Sequence, residues 1–136
     1  MARVRQQAAV IPYRIRRARV EVALVTTSGG KRWIVPKGSV DEGEHPREAA
    51  IREAEEEAGL LGVIARKRIG RYLDVKGNHR CRVDVYMMRV TDVLESWLED
   101  NLRRRRWMKV PDAAICLRQE LQELVHAVEG VVGLDS

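Results

Sequence analysis

The strongest constraint on the fold of this chain is the segment from Gly38 to Leu60, which reads GSVDEGEHPREAAIREAEEEAGL. Pro46 fixes φ near its helical value and lacks an N–H that the first turn of a helix does not need. Gly59 can adopt a positive φ and so end a helix. Together these two residues predict a helix over 46–58, preceded by an acidic loop that contains glycine.

The predicted helix carries three glutamates on one face. Glu53, Glu56 and Glu57 stand at positions i, i+3 and i+4, so their carboxylates converge. Like charges at this spacing destabilise a helix by about 0.2–0.5 kcal/mol per pair, and acids are also unfavourable near a helix C-terminus. A bound divalent cation would remove that penalty. The side away from the glutamates, which we expect to pack on a sheet, holds Ala50, Ile51, Ala54 and Ala58.

The acidic run has two interpretations. A run of three glutamates is usually a solvated face. Here, however, Gly38 and Glu44 stand upstream, and Arg52 can pair with Glu56 four residues on, which favours a metal site. Carboxylate oxygens and water are the ligands that Mg²⁺ prefers. Mg²⁺ can clamp phosphate oxygens and activate a water, and a carboxylate can accept the proton of that water.

The spacing of these residues, G-x5-E-x7-R-E-A-x-E-E-x-G-L from Gly38 to Leu60, resembles the Nudix box at every defined position. The resemblance implies an α/β fold, with an α/β/α sandwich around a mixed β-sheet. It also implies an enzyme that uses Mg²⁺, or Mn²⁺ as a substitute, to hydrolyse a phosphoanhydride bond in a nucleoside diphosphate linked to another group.

The same resemblance implies roles for the residues of the motif. Glu53 and Glu57 are metal ligands, and the Gly38 region supplies a backbone carbonyl to the metal. Glu56 is a further ligand or the general base, and Arg52 orients the glutamates. The expected catalytic residues are therefore Glu56 and Arg52, with Gly38, Glu53 and Glu57 at the metal.

A second resemblance covers most of residues 5–125. RWIVP at 32–36, VTDVLESW at 90–97, and Trp107 after a basic run are similar to the diphosphoinositol polyphosphate phosphohydrolases. That Nudix subgroup acts on diphosphoinositol and diadenosine polyphosphates. It has a glycine triplet after the proline, whereas PKG at 36–38 of this chain is closer to dinucleoside polyphosphate hydrolases and bacterial relatives. The expected substrate is therefore a dinucleoside polyphosphate, with diphosphoinositol polyphosphate second and a nucleotide sugar third.

Basic residues outside the motif are the candidates for substrate binding, because arginine makes bidentate contacts with phosphate. For any single one of them a solvated surface position is an equally good interpretation, and His79 alone fits a surface residue better than a base. A loop carboxylate, Glu95 or Glu99, can add a metal ligand or base. The three tryptophans are expected to pack in the core or on a shelf beside it. The predicted substrate-binding residues are Arg5, Arg32, Lys37, His79, Arg80, Arg103 and Arg105.

Composition bounds the remaining possibilities. The chain has 136 residues, of which 45% are apolar, and this suits one globular domain over 1–136. Cys81 and Cys116 lack metal-type spacing and are expected to be reduced, partly buried thiols. The N-terminal apolar run is broken by Pro12 and flanked by arginines, unlike a secretory signal. No window is long and apolar enough to span a membrane, so a cytoplasmic protein is expected.

The net charge of +5 hides an acidic patch within a basic body, since residues 41–57 hold eight acids against two bases. This layout suits a metal site beside a docking surface for a small-molecule polyphosphate. Nucleic acid is not expected as a partner, because the chain has no recognition motif and no basic stripe interleaved with aromatics. Two other functions stay open, a catalytically silent module that binds a phosphorylated ligand and an enzyme that processes RNA 5′ ends. The oligomeric state, monomer or homodimer, is also open.

Periodicity and turn residues predict the other elements. One face of a long strand should carry Val83, Val85 and Met87, and the buried stripe of a terminal helix should carry Leu117, Leu121, Leu124 and Val125. The predicted strands span 6–15, 20–26, 33–35, part of 62–75, 80–93 and 107–108. A turn is expected at 76–78, a loop over 95–106 and the terminal helix over 111–129.

Overall fold

The computed structural model describes residues 3–133 of the chain. The strands of this range are β1 (Val4–Arg16), β2 (Arg19–Thr26), β3 (Trp33–Ile34), β4 (Lys37–Ser39), β5 (Leu60–Ile64), β6 (Gly70–Lys76), β7 (His79–Val93) and β8 (Arg105–Lys109). The helices are α1 (Pro46–Ala58), α2 (Val110–Cys116) and α3 (Gln119–Val132). None of these helices is long and apolar enough to cross a membrane.

All eight strands belong to one mixed sheet. Its long central strands, β1 and β7, run parallel, with Val4 opposite Arg80 and Tyr13 opposite Arg89. The other pairings are antiparallel: β2 and β4 lie against β1, and β3 and β8 lie against β2. Strands β5 and β6 share the far edge of β7. The expected mixed β-sheet is confirmed.

The helices cover both faces of this sheet. Successive side chains of a strand point to opposite faces, and the buried centre of β1 shows this alternation. Ala8 and Val10 pack in a cluster with α1, whereas Ala9 and Ile11 pack in a cluster with α2 and α3. The predicted face of β7 belongs to the second cluster, with Val83, Val85 and Met87. The fold is an α/β/α sandwich, as the Nudix resemblance implied.

Helix α1 has the predicted bounds. The Nδ1 atom of His45 accepts a hydrogen bond from the Arg47 N–H at 3.1 Å and caps the first turn. Gly59 ends the helix at φ 62°. Four small residues are fully buried and let the helix lie close to the sheet: Ala49, Ala50, Ala54 and Ala58.

Two expectations about the faces of α1 are wrong. Ile51 is 38% exposed, because a step of about 100° per residue puts it at the edge of the buried arc. Glu53 and Glu57 lie inside that arc, where they are only 8% and 5% exposed, rather than opposite the alanines. The glutamate face is therefore turned inward, which excludes a simple solvated acidic face.

The elements after α1 differ from the prediction in two places. The region 62–75 holds two strands, β5 and β6, where one was expected. The predicted terminal helix is two helices, because Leu117 and Arg118 take extended backbone angles with ψ of 160° and 154°. The break lets Leu117 turn into the same core as Leu121 and Val125.

Smaller corrections concern single segments. Lys37–Ser39 lies in a strand rather than a loop, because it pairs with Gln7–Ala9 of β1. The short strand expected at 107–108 extends over Arg105–Lys109, because five residues pair with β2. Cys116 is exposed, because it lies at the outer end of α2, while Cys81 is half-buried as expected.

Candidate active site

Strand β4 brings Gly38 against the acidic face of α1. Gly38 pairs with Ala8 of β1, which fixes its backbone beside the helix. A Cβ atom at Gly38 would lie 2.8 Å from the Glu53 Oε2 atom and closer still to Cδ and Oε1. Only glycine leaves room for this carboxylate, so the missing side chain at Gly38 is what allows Glu53 to lie so close to β4.

Arg52 joins the loop before α1 to the helix. Its guanidinium donates to Glu53 Oε1 at 2.8 Å, to both oxygens of Glu44 at 2.9 and 3.1 Å, and to the Ser39 carbonyl at 3.0 Å. The hydrogen bond from Arg52 also lowers the pKa of Glu44. The predicted pairing with Glu56 is looser, at 3.7 Å. Arg52 thus orients the motif through Glu44 and Glu53 more than through Glu56.

Glu53 and Glu57 form a buried pair of carboxyl groups. Burial is the largest cause that raises the pKa of both, and it acts together with the neighbouring Glu53 carboxyl to raise the pKa of Glu57 to about 8. The Lys37 N–H donates to Glu57 Oε1 at 3.1 Å, and Arg103 Nη2 lies 3.8 Å from Glu57 Oε2. Two ionised groups at this site therefore need more positive charge than the chain supplies.

A divalent cation fits that need. Mg²⁺ is commonly bound by one or two carboxylates and keeps several waters, and Glu53 and Glu57 offer two carboxylates beside the Gly38 backbone. Within residues 3–133, no group of three or more histidine, cysteine or acidic side chains is arranged to hold a metal. The donor set thus suits a hard cation whose coordination is completed by water and phosphate oxygens, and it does not suit a closed structural site.

The loop between β7 and β8 packs on the C-terminal end of α1. The Trp97 indole N–H donates to the Glu57 carbonyl at 2.9 Å, and the Glu99 N–H donates to the Glu56 carbonyl at 3.0 Å. Glu99 Oε1 accepts from Arg103 Nε at 2.8 Å, which directs that guanidinium towards Glu57. Glu99 therefore supports Arg103 beside the acidic pair, whereas Glu95 is exposed on the same loop.

The arginines of the basic run at 103–106 contact different parts of the protein. Arg103 faces the acidic pair, and the Arg104 guanidinium lies 5.5 Å from the Trp33 ring centroid. Arg105 donates to the Ala58 carbonyl at 2.7 Å and stacks over Trp97 at 4.3 Å. A cation at a helix C-terminus is stabilising, so Arg105 offsets the unfavourable position of the glutamates at the end of α1.

A cavity of about 480 Å³ opens beside Lys37. Lys37 Nζ lies 3.1 Å from Asp74 Oδ2, and Arg118 Nη1 lies 3.0 Å from Asp74 Oδ1. The Arg118 guanidinium covers the Tyr72 ring at 4.5 Å. Burial opposes ionisation of Asp74, but the hydrogen bonds from Arg118 and Lys37 outweigh it and lower the pKa of this carboxyl. The lining thus combines cations with an aromatic ring and one buried acid.

Sequence reasoning missed Tyr72, Asp74 and Arg118. Tyr72 and Asp74 stand two residues apart on β6 and so share a face, and that alternation was a usable signal. Arg118 had no signal, because the break between α2 and α3 that turns it into the cavity was not expected.

The predicted substrate-binding residues occupy four places. Arg32 and Lys37 line the cavity, and Arg103 lies at the acidic pair. Arg105 is turned to the end of α1. The remaining three are exposed and do not line the cavity: Arg5 on β1, and His79 and Arg80 at the start of β7. The structure therefore gathers the motif residues with Arg32, Lys37 and Arg103.

Comparison with known proteins agrees with this geometry. The sequence profile of the NUDIX domain matches residues 5–128. Human diphosphoinositol polyphosphate phosphohydrolase 3-beta is 41% identical over 114 residues, and mouse diphosphoinositol polyphosphate phosphohydrolase 2 is 41% identical over 113 residues. Each match covers 79% of this chain, but only 65% and 59% of the two relatives. The chain thus spans less than two thirds of their length.

Solved structures show the same fold. A binary complex of an Ap4A hydrolase from C. elegans superposes with a TM-score of 0.76 at 22% identity, covering 94% of this chain and 97% of the other. A NUDIX-family hydrolase from Clostridium perfringens gives a TM-score of 0.73 at 20% identity, covering 92% and 98%. Because the NUDIX profile matches nearly the whole length of this chain, the chain belongs to the NUDIX family.

Proposed function

We propose that this protein is a Mg²⁺-dependent pyrophosphohydrolase that cleaves a phosphoanhydride bond in a dinucleoside polyphosphate. The observation that carries the proposal is the buried Glu53–Glu57 pair beside Gly38, set next to a cavity lined by Arg32 and Lys37. A buried acidic pair needs a cation, and the neighbouring cations suit phosphates. Mn²⁺ is the expected substitute for Mg²⁺, because both accept oxygen ligands.

The residues of the motif divide the work. Glu53 and Glu57 hold the metal, which supplies Lewis-acid stabilisation of phosphate charge when bound. Glu56 is half-buried and lies 3.7 Å from Arg52, so its carboxylate is free to accept the proton of the attacking water. Arg52 holds the loop and the helix together. Arg103 adds a positive charge where the phosphates meet the acidic pair.

The cavity favours a nucleotide substrate over a densely phosphorylated one. Trp33 is half-buried in the lining and offers aromatic surface, and the Asp74 carboxylate neutralises part of the charge of Lys37 and Arg118. One aromatic group followed by a chain of phosphates matches that lining. The solved Ap4A hydrolase of C. elegans has the same fold, which is compatible with this choice.

Diphosphoinositol polyphosphate is the second candidate. It is favoured by the names of the relatives that are about 41% identical to this chain. A catalytically silent phospholigand-binding module and an enzyme acting on RNA 5′ ends are further alternatives. The cytoplasmic location, the single domain over 1–136 and the small-molecule partner stay predictions.

The test is a substrate panel with product identification. Dinucleoside tetraphosphate, diphosphoinositol pentakisphosphate, a nucleotide sugar and a triphosphate-capped RNA are compared in Mg²⁺ and Mn²⁺ buffers. We expect the dinucleoside tetraphosphate to have the highest kcat/KM of the four compounds and to be cleaved asymmetrically. A higher kcat/KM for diphosphoinositol pentakisphosphate would favour the second candidate, and no phosphate release from any compound would favour the silent module.

A matched pair of variants tests the role of Glu56. Glu56→Gln should lower kcat by roughly 10²–10⁴-fold without loss of folding, as expected for a general base. Glu55→Gln removes the same charge from an exposed position next to it and should leave kcat unchanged. Equal activity in the two variants would exclude Glu56 as the base.

A further inference from the structure

A second cavity lies at the tip of the β1–β2 hairpin. It has a volume of about 450 Å³ and is lined by Arg16, Arg17, Arg19, Glu21 and Lys109. Ligand sites of small molecules usually fall between about 300 and 1,000 Å³. The lining holds four cations against a single acid, so the cavity is strongly positive.

The one acid of this cavity is already paired. Glu21 Oε1 accepts from Arg14 Nε at 2.8 Å, and the Arg14 guanidinium also stacks over Trp107 at 4.1 Å. Over the described range 3–133, none of the other four cations has a carboxylate within 4.0 Å. Their charge is therefore compensated only by solvent.

The hairpin holds these cations in unfavourable positions. Arg16 lies directly opposite Arg19 in the β1–β2 register, and like charges placed opposite each other destabilise a strand pair. The two turn residues, Arg17 and Ala18, have φ of 53° and 61°. Side chains cost about 1–2 kcal/mol in this left-handed region, where hairpin turns prefer asparagine and glycine. Backbone strain of this kind is often retained at sites of function.

The cavity is separate from the candidate active site. On β1, Ala9 pairs with Lys37 of β4, and Arg16 lies seven residues further along the strand. A strand rises about 3.3 Å per residue, so the two places are roughly 23 Å apart. One small ligand cannot contact both.

We propose that this hairpin cavity binds a small anion that carries several phosphate groups, as a second site distinct from the hydrolase site. Guanidinium groups make paired hydrogen bonds with phosphate oxygens, and three arginines with Lys109 surround the space. A multiply charged anion relieves the repulsion between Arg16 and Arg19. The lining has no aromatic residue on which a base can stack, which favours a compact anion over single-stranded nucleic acid.

Tripolyphosphate is the probe for the test, with binding measured by titration calorimetry on metal-stripped protein in a chelator-free buffer. Two binding events are expected in the unmodified protein, one at each cavity. The double variant Arg17→Ala/Arg19→Ala should weaken one of them at least tenfold and leave the other unchanged. Amide shifts in NMR spectra should move at residues 16–19 and 109.

The matched control is Arg66→Ala/Arg68→Ala. These two arginines are exposed in the turn between β5 and β6 and line neither cavity, so the control removes the same charge. It should retain both binding events. If both double variants bind tripolyphosphate equally weakly, the loss of affinity comes from the change in net charge, and the proposal is overturned.

Folding of the variants is a further readout. Arg17→Gly relieves the positive φ and should fold at least as well as the unmodified protein, while weakening the same binding event. A single binding event in the unmodified protein, left intact by Arg17→Gly, would exclude the site. Tighter binding of a DNA duplex than of tripolyphosphate through the same arginines would overturn the small-anion assignment. None of these outcomes depends on hydrolysis, so a failure of this proposal can be distinguished from a failure of the proposed hydrolase activity.

Discussion

Replacing Gly38 with alanine tests the steric argument for the metal site. The added Cβ would lie 2.8 Å from Glu53 Oε2 and closer to Cδ and Oε1, whereas ordinary contacts begin at 3.4 Å. The carboxylate must therefore move by roughly 1 Å away from Gly38, and this movement disturbs its hydrogen bond from Arg52. A misplacement of about 1 Å in a catalytic site can cost on the order of 10²-fold in rate.

The expected result for Gly38→Ala is a loss of about 10²-fold in kcat/KM on the best substrate of the panel, with weaker Mn²⁺ binding measured by electron paramagnetic resonance. The stability cost should stay near the lower end of the roughly 1–3 kcal/mol typical of overpacking, because the obstructing group is the end of a side chain. Urea denaturation measures that cost.

Gly29→Ala is the matched control. Gly29 has no heavy atom within 4 Å of the added Cβ and no positive φ, so this variant should bind Mn²⁺ and turn over substrate normally. If Gly38→Ala is folded and binds Mn²⁺ as tightly as the control, the placement of Glu53 by Gly38 is not what creates the metal site.

Three further predictions follow from the same geometry. In metal-free protein the melting temperature should fall as pH rises from about 4.5 to about 8, since folded Glu57 keeps a proton that the unfolded chain releases. Glu57→Gln should reduce that fall and leave only the part due to Glu53, whose pKa burial also raises. Asp74→Asn should free Lys37, whose ammonium pairs with Asp74 at 3.1 Å, and raise kcat/KM for the diphosphoinositol substrate roughly tenfold relative to the dinucleoside one, about 1.4 kcal/mol; an unchanged ratio would contradict this. Gly59→Ala should lower the free energy of unfolding in urea by at least about 1–2 kcal/mol, because φ is 62° and Trp97 lies 2.9 Å from the added Cβ.

Helix α1 was predictable because its signals are local. Pro46 and Gly59 define its ends without reference to any other part of the chain, and both bounds match the structure. The convergence of Glu53, Glu56 and Glu57 is likewise a consequence of helical spacing. What local reasoning misplaced was the face of the helix, since Glu53 and Glu57 lie within the buried arc beside the alanines rather than opposite them.

The substrate cavity was not predictable in the same way. Its wall is formed by Tyr72 and Asp74 of β6 with Arg118, which stands 44 residues further along the chain. Arg118 reaches Asp74 only because extended backbone at 117 and 118 separates two helices. Periodicity alone predicted one continuous helix there, since the apolar residues keep nearly helical spacing across the break.

The sequence by itself determined the acidic helix, its glycine partner and hence the family, because each of these depends on residues close together in the chain. Only the tertiary structure decided which positive charges lie beside the buried glutamates and the C-terminal end of α1. Arg103, in the loop before β8, and Arg105, on β8, both approach the end of α1. Lys37 contacts Glu57 through its backbone N–H and also lines the cavity. Such contacts arise from strand pairing over long separations, which no local spacing encodes.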